Sequence, residues 1–130
     1  MSTVVEVGRL TADPEVKFVG SKGTALVSFS IAVNRKKGEE ESVHYFDCVA
    51  WSTLATNIAE SLRKGNRVIV TGQLKQDRYE TKDGKTASKI VIDVRNIGPD
   101  LTYATAVVSP SDPNYKPDNN KSYRKQEEAF

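Results

Sequence analysis

The sequence predicts an all-β barrel carrying one short helix. Three observations predict it: several extended stretches of alternating polarity, one stretch of helical spacing set among them, and turn residues between the segments. Thr3 to Leu10 reads as a first strand, closed by Thr11-Ala-Asp-Pro14, and a shorter extended piece, Glu15 to Val19, runs into the turn Gly20-Ser-Lys-Gly23. In Ala25 to Asn34, Ala25, Val27, Phe29, Ile31 and Val33 alternate with Leu26, Ser28, Ser30 and Ala32, so one face is richly apolar. Val43 to Trp51 forms the next strand, and Arg67 to Leu74 and Lys85 to Ile97 form two more.

The helical stretch follows the third of these five main strands. Leu54, Ile58 and Leu62 recur at i, i+4 and i+8, Ser52 is placed to cap the start, and Arg63 and Lys64 precede Gly65 in the expected last turn. A helix between strands three and four of a five-stranded chain is the connectivity of the OB-fold, a partly open Greek-key barrel. Asp83-Gly84 supplies residues suited to positive φ, so Gln76 to Lys89 is expected to project as a hairpin arm. Leu101 to Val108 is a candidate extra strand.

At 130 residues the chain has room for one domain with a real core. From Ser109 onward, Pro110, Pro113 and Pro117 punctuate a polar mixture whose one aliphatic residue is Ala129, so residues 1–108 are expected to be the domain and 109–130 a disordered tail. The lone Cys48 forms no internal disulfide, the N-terminus lacks a signal-like apolar run, and no stretch is long enough to cross a bilayer. A cytoplasmic protein is expected. The net charge of +2 is too small to argue for a polyanionic partner, so the distribution of charge carries that question.

Alternation along Val43 to Trp51 points Phe46, Cys48 and Ala50 one way and Tyr45, Asp47, Val49 and Trp51 the other. The second set puts two large rings beside an acid on the outside of a barrel. Such rings either cover an apolar edge or subunit interface, or stack on something flat. Exposed aromatics recur in three separate segments, two of them rich in cations, and this favours stacking: Lys17 beside Phe18; the Tyr45 and Trp51 strand; and Tyr79 among Lys75, Arg78, Lys82, Lys85 and Lys89. Rings that stack on bases and cations that neutralise phosphates are what single-stranded nucleic acids require, whatever their sequence. Arg35-Lys36-Lys37 is the densest basic run and is expected in a long loop, as a second tier of phosphate contacts because Glu39-Glu40-Glu41 follows; Arg9 completes the phosphate set.

Other chemistry is thinly supported. Gly20-Ser-Lys-Gly23 lacks the spacing of a phosphate-cradling loop, and His44 and Cys48, roughly 13 Å apart along a strand, cannot share one metal. No cofactor, no metal and no catalytic residue is expected, since no nucleophile stands beside a base.

Several stretches in order resemble the bacterial single-stranded DNA-binding proteins: Val7-Gly-Arg-Leu-Thr-Ala-Asp-Pro-Glu15, Phe29-Ser-Ile-Ala32, Phe46-Asp-Cys-Val-Ala-Trp51, Ala59-Glu-Ser-Leu-Arg-Lys-Gly65 and Val70-Thr-Gly-Gln-Leu74. The resemblance spans about residues 3–108, and Ile97-Gly-Pro-Asp-Leu-Thr-Tyr-Ala-Thr105 is similar to actinobacterial or phage-encoded members, in which a strand after the barrel clasps a neighbouring subunit. It implies sequence-nonspecific binding and protection of single-stranded DNA in replication, recombination and repair. It also implies a homotetramer, a dimer of dimers, around which the DNA wraps. The family's stacking positions fall on Tyr45, Trp51 and Tyr79, with Phe18 on the DNA path; many members carry tryptophan where this chain has Tyr45 and Tyr79. The family's tail ends in aspartates and Ile-Pro-Phe, which recruit replication and repair enzymes. Here Glu127, Glu128 and Phe130 are retained while Arg124 and Lys125 add positive charge, which implies a weak docking tip. The competing readings are an OB-fold adaptor for protein partners and a binder of single-stranded RNA.

Overall fold

The alternating segments all become strands. The computed structural model describes residues 2–111, in which β1 (Thr3–Leu10), β2 (Glu15–Val19), β3 (Thr24–Lys37) and β4 (Glu40–Trp51) precede the helix α1 (Ser52–Ser61), and β5 (Arg67–Glu80) and β6 (Thr86–Pro99) follow it. The sheet order is β1-β5-β6-β4-β3-β2, and an additional β1–β3 pairing closes five strands into a ring with β2 outside it. This is the OB-fold expected from the connectivity. Two pairings in the ring are long: β3–β4 runs from Leu26↔Trp51 to Lys37↔Glu40, and β5–β6 from Val68↔Pro99 to Glu80↔Thr86. Two others are short. The antiparallel β1–β3 seam holds Arg9↔Ala32 and Leu10↔Ile31, and the parallel β4–β6 seam runs only from Asp47↔Val91 to Val49↔Asp93.

The inward residues of the alternating strands meet as one core. Val27, Ile31, Cys48, Val68, Val70 and Ile92 are fully buried there, and Ala55 and Ile58 of α1 with Leu62 just beyond it close one end of the barrel. Burying each such aliphatic side chain contributes on the order of 1.5–3 kcal/mol. Close approach at the wall needs residues without a Cβ. At Gly72, beside the register shift between Thr71 and Gly72, a Cβ would stand 2.3 Å from the Asp93 carbonyl oxygen.

Local expectations are corrected in five places. Arg35-Lys36-Lys37 is not a loop: β3 continues to Lys37, the Lys37↔Glu40 pair leaves only Gly38-Glu39 as the turn, and Lys36 pairs with Glu41. The polar composition of the run hid a strand whose ladder needs no apolar face once it leaves the barrel. Ser52 does not cap α1, because its own φ is +62° whereas a capping residue is extended; Trp51 occupies the N-cap position in extended conformation without a side-chain bond. Arg63 and Lys64 lie beyond the helix end rather than in its last turn, although the Arg63 guanidinium still donates to the Ala59 and Leu62 carbonyls. At the arm tip only Gly84 has positive φ, and the turn spans Thr81 to Lys85, closed by the Thr81 amide on the Lys85 carbonyl and the Gly84 amide on the Thr81 carbonyl.

The fifth correction concerns Leu101 to Val108, which forms no strand within the chain. Among the described residues it pairs with none of the six strands. It runs instead past α1, with the Arg67 guanidinium 5.5 Å from the Tyr103 ring centre and Asn57 Nδ2 donating to Ser111 Oγ. Its root is fixed at Asp100, whose carboxylate accepts from the Thr102 hydroxyl and amide and pairs with Arg67; the Thr102 bonds foremost hold that carboxyl below its ordinary range. Residues 112–130, with the expected tail and its Glu127, Glu128 and Phe130, lie outside the described residues.

Candidate nucleic-acid interface

Residues directly opposite one another in neighbouring strands share a face, so the register sorts the candidate residues. Trp51 pairs with Leu26, and Leu26 with Lys17, which lays Lys17, Leu26 and Trp51 in one row across β2, β3 and β4 on the outer face. Two rows further along β4, Asp47 is flanked by Ser30 on β3 and Val91 on β6, and Val91 in turn by Lys75 on β5. Next comes Tyr45, opposite Ala32, which is opposite Arg9. The same face continues onto the arm through Asp77↔Lys89 and Tyr79↔Ala87.

The result is an outer groove floored by small, polar and aliphatic side chains and bordered by rings. Tyr45 is 69% exposed, Tyr79 47% and Trp51 40%. Between them Ser28, Ser30, Asp47, Val49, Asp77, Lys89 and Val91 surround a depression of about 230 Å³. Val91 is only 3% exposed yet stands outside the core cluster, so it is buried from the groove side and forms part of the floor.

Not every candidate shares this face. Phe18 is 70% exposed but pairs with inward-facing Ala25, so it lies on the face of β2 opposite to Lys17. Arg78 pairs with Ser88 on the other face of the arm, while Lys82 and Lys85 are at its exposed tip. Of the basic run in β3, Lys36 has the parity of the groove; Arg35 has the other parity and reaches Glu6 of β1 at 2.9 Å. Arg9 stands in the Tyr45 row, but its guanidinium donates to the Gly65 carbonyl at 3.0 Å. The lysines on the groove face are therefore Lys17 of β2, Lys36 of β3, Lys75 of β5 and Lys89 of β6.

Sequence reasoning missed Ser28, Ser30, Leu26 and Val91 as groove residues. The two-residue turn Gly38-Glu39 is the signal that finds the first three, because it fixes which β3 residues stand opposite Tyr45, Asp47, Val49 and Trp51. Val91 was hidden in the apolar run Ile90-Val-Ile92, where alternation is silent.

Behind the groove, Cys48 is fully buried and its thiol is pushed up to about 12, first by burial and then by the charge of adjacent Asp47. The neutral thiol is a poor nucleophile. Native protein is expected to resist alkylation by iodoacetamide, and denatured protein to take up one label per chain; rapid labelling of the native form would contradict this packing.

The fold and its outer face define a class, the OB-fold barrel with an exposed, cation-flanked aromatic groove. The chain belongs to the single-strand binding protein family, which its sequence matches over residues 1–100. It is similar to the single-stranded DNA-binding protein of Mycobacterium leprae, 44% identical over 115 residues that cover 83% of this chain and 68% of the relative. The proteins of the same description from Mycolicibacterium smegmatis and Mycobacterium tuberculosis are 42% and 43% identical over the same length, covering 83% of this chain and 69% and 70% of those relatives. The expected actinobacterial affinity thus has direct support. No helix among the described residues is long and apolar enough to cross a membrane.

Proposed function

We infer that this chain binds and protects single-stranded DNA in replication, recombination and repair, without catalysing a reaction on it. The observation that carries this reading is the alignment of Tyr45, Trp51 and Tyr79 on one outer face with Lys17, Lys75 and Lys89. Stacking accepts any base, and cations on the same face neutralise phosphates on either side of the rings. A duplex, whose bases are already stacked on one another, has no ring to offer this surface.

Trp51 is the only tryptophan in the chain, so emission reports on the groove itself. Poly(dT) is expected to quench it, and duplex DNA of equal length to bind far more weakly. Equal binding of duplex would overturn the reading. Four groove-facing lysines set the salt dependence: log K should fall against log salt with a slope of about −3 per protomer, from about −0.7 per neutralised phosphate. A slope near zero would mean that these lysines do not meet the backbone.

A homotetramer built as a dimer of dimers fits the apolar surface that lies away from the groove. Val5 and Ile69 are exposed on the outer face of β1 and β5, and Ile90 on the far face of the arm. Exposed aliphatics gathered on strands mark association surfaces. Sedimentation of the full chain tests the assembly, and a monomer at micromolar concentration would exclude it. A cytoplasmic location and recruitment of replication and repair proteins through Glu127, Glu128 and Phe130 belong to the same proposal. Pull-down with and without Phe130 tests the docking tip.

A further inference from the structure

The groove floor holds a group that neither stacking nor phosphate binding needs. Asp47 projects onto the same face as Tyr45, two residues along β4 and roughly 7 Å away. A carboxylate here repels a phosphate backbone, and among the described residues no lysine or arginine pairs with it. Its geometry is nevertheless set. Ser30 Oγ donates to Asp47 Oδ1 at 2.6 Å, which orients the carboxylate and leaves it further acceptor capacity, and Asp47 lines the depression between β4 and the arm.

An ionised carboxylate only accepts hydrogen bonds. Bases stacked on Tyr45 would bring their edges over this acceptor, and the edges differ. Cytosine and adenine each present an exocyclic amine, and guanine presents an amine beside a ring N–H, a pair of donors matched to two carboxylate oxygens. Thymine presents one ring N–H flanked by two carbonyl oxygens, each of which repels the approaching carboxylate.

We propose that Asp47, positioned by Ser30, is a base-selective acceptor that makes one subsite of this groove favour amine-bearing bases, guanine foremost, and disfavour thymine. The inference rests on the single-strand binding proposed above, and adds a compositional bias to it. Tyr45 and Trp51 supply the sequence-tolerant part of the affinity, while Asp47 decides which base is best held beside Tyr45.

The test compares affinities of the full chain for poly(dC) and poly(dT) at mildly alkaline pH, where both are unstructured, with Asp47→Asn and Ser30→Ala beside the wild type. An asparagine both donates and accepts, so D47N is expected to shift the dC-to-dT selectivity by about fivefold toward dT. S30A is expected to shift it the same way by less, and Ser30→Thr to restore it, because Ser30 acts by positioning Asp47. If D47N instead strengthens binding to both polymers by the same factor and alters the salt slope alone, the carboxylate is only a charge near the backbone and the proposal falls. Wild-type protein that binds both polymers with no change in selectivity in any variant also overturns it, and leaves single-strand binding standing. Wild-type protein that binds neither polymer overturns both.

Discussion

Trp51→Ala is expected to weaken binding to poly(dT) by about 1–3 kcal/mol, a loss of roughly five- to 150-fold, while leaving the thermal midpoint nearly unchanged. The ring is 40% exposed and lies outside the core cluster, so removing it opens no cavity in the barrel. Its neighbours in the row explain why the loss should be large. Leu26 stands directly opposite the ring and Lys17 one strand further on in the same row, so a base stacked on Trp51 would have an ammonium group two strands away for its phosphate. Tyr79→Ala should fall in the same range, and the two losses should add because the rings sit on different strands with no shared partner. Full affinity in Trp51→Ala, measured by anisotropy of a labelled oligonucleotide, would assign the ring a packing role instead.

The largest effect on stability is expected at Gly72. Alanine there would place Cβ 2.3 Å from the Asp93 carbonyl oxygen and 2.9 Å from Ile92 Cγ2, and the first of these is backbone that cannot swing aside. Overpacking of this kind costs about 1–3 kcal/mol and at times more, which for a domain of this size lowers the melting temperature by about 5–20 °C. Gly8→Ala meets the Ala32 carbonyl oxygen at 2.7 Å and should be next in severity. Gly98→Ala is the control: nothing stands within 4 Å of its Cβ position, and it should melt within a degree or two of wild type. Equal melting temperatures for the Gly72 and Gly98 variants would show that the wall yields where the structure has it rigid.

What could be read ahead of the structure follows from which signals are local. Alternation by two placed the inward set Val27, Phe29, Ile31 and the outward pair Tyr45 and Trp51, because each strand buries one face and exposes the other. The i, i+4 spacing of Leu54 and Ile58 placed α1 for the same reason. Where a residue's role depends on a partner strand, local reading ran out. Lys17 and Phe18 are adjacent in sequence, and only the Lys17↔Leu26↔Trp51 register shows which of them shares the aromatic face. Arg35-Lys36-Lys37 read as a solvated loop because charge without apolar alternation is the usual mark of one, whereas here a two-residue turn at Gly38-Glu39 carries the ladder outward. Ser52 looked like a cap by type, and its left-handed backbone, imposed by the sharp turn from β4 into α1, cannot be seen in residue type at all.

The two short seams divide the barrel into half-shells. One is the β2–β3–β4 ribbon and the other the β1–β5–β6 ribbon, each zipped along most of its length, with strand pairing between them limited to Arg9↔Ala32 and Leu10↔Ile31 on one side and to Asp47↔Val91 through Val49↔Asp93 on the other. On the binding mode proposed above, a strand of DNA in the groove would touch Tyr45 and Trp51 on the first half-shell and Lys75, Lys89 and Tyr79 on the second, and so would cross the parallel seam. The ligand would then work as a staple, its binding energy resisting separation of the two half-shells. Amide exchange should slow on DNA binding most at residues 47–49 and 91–93, and least in the middle of β1, which the staple does not cross.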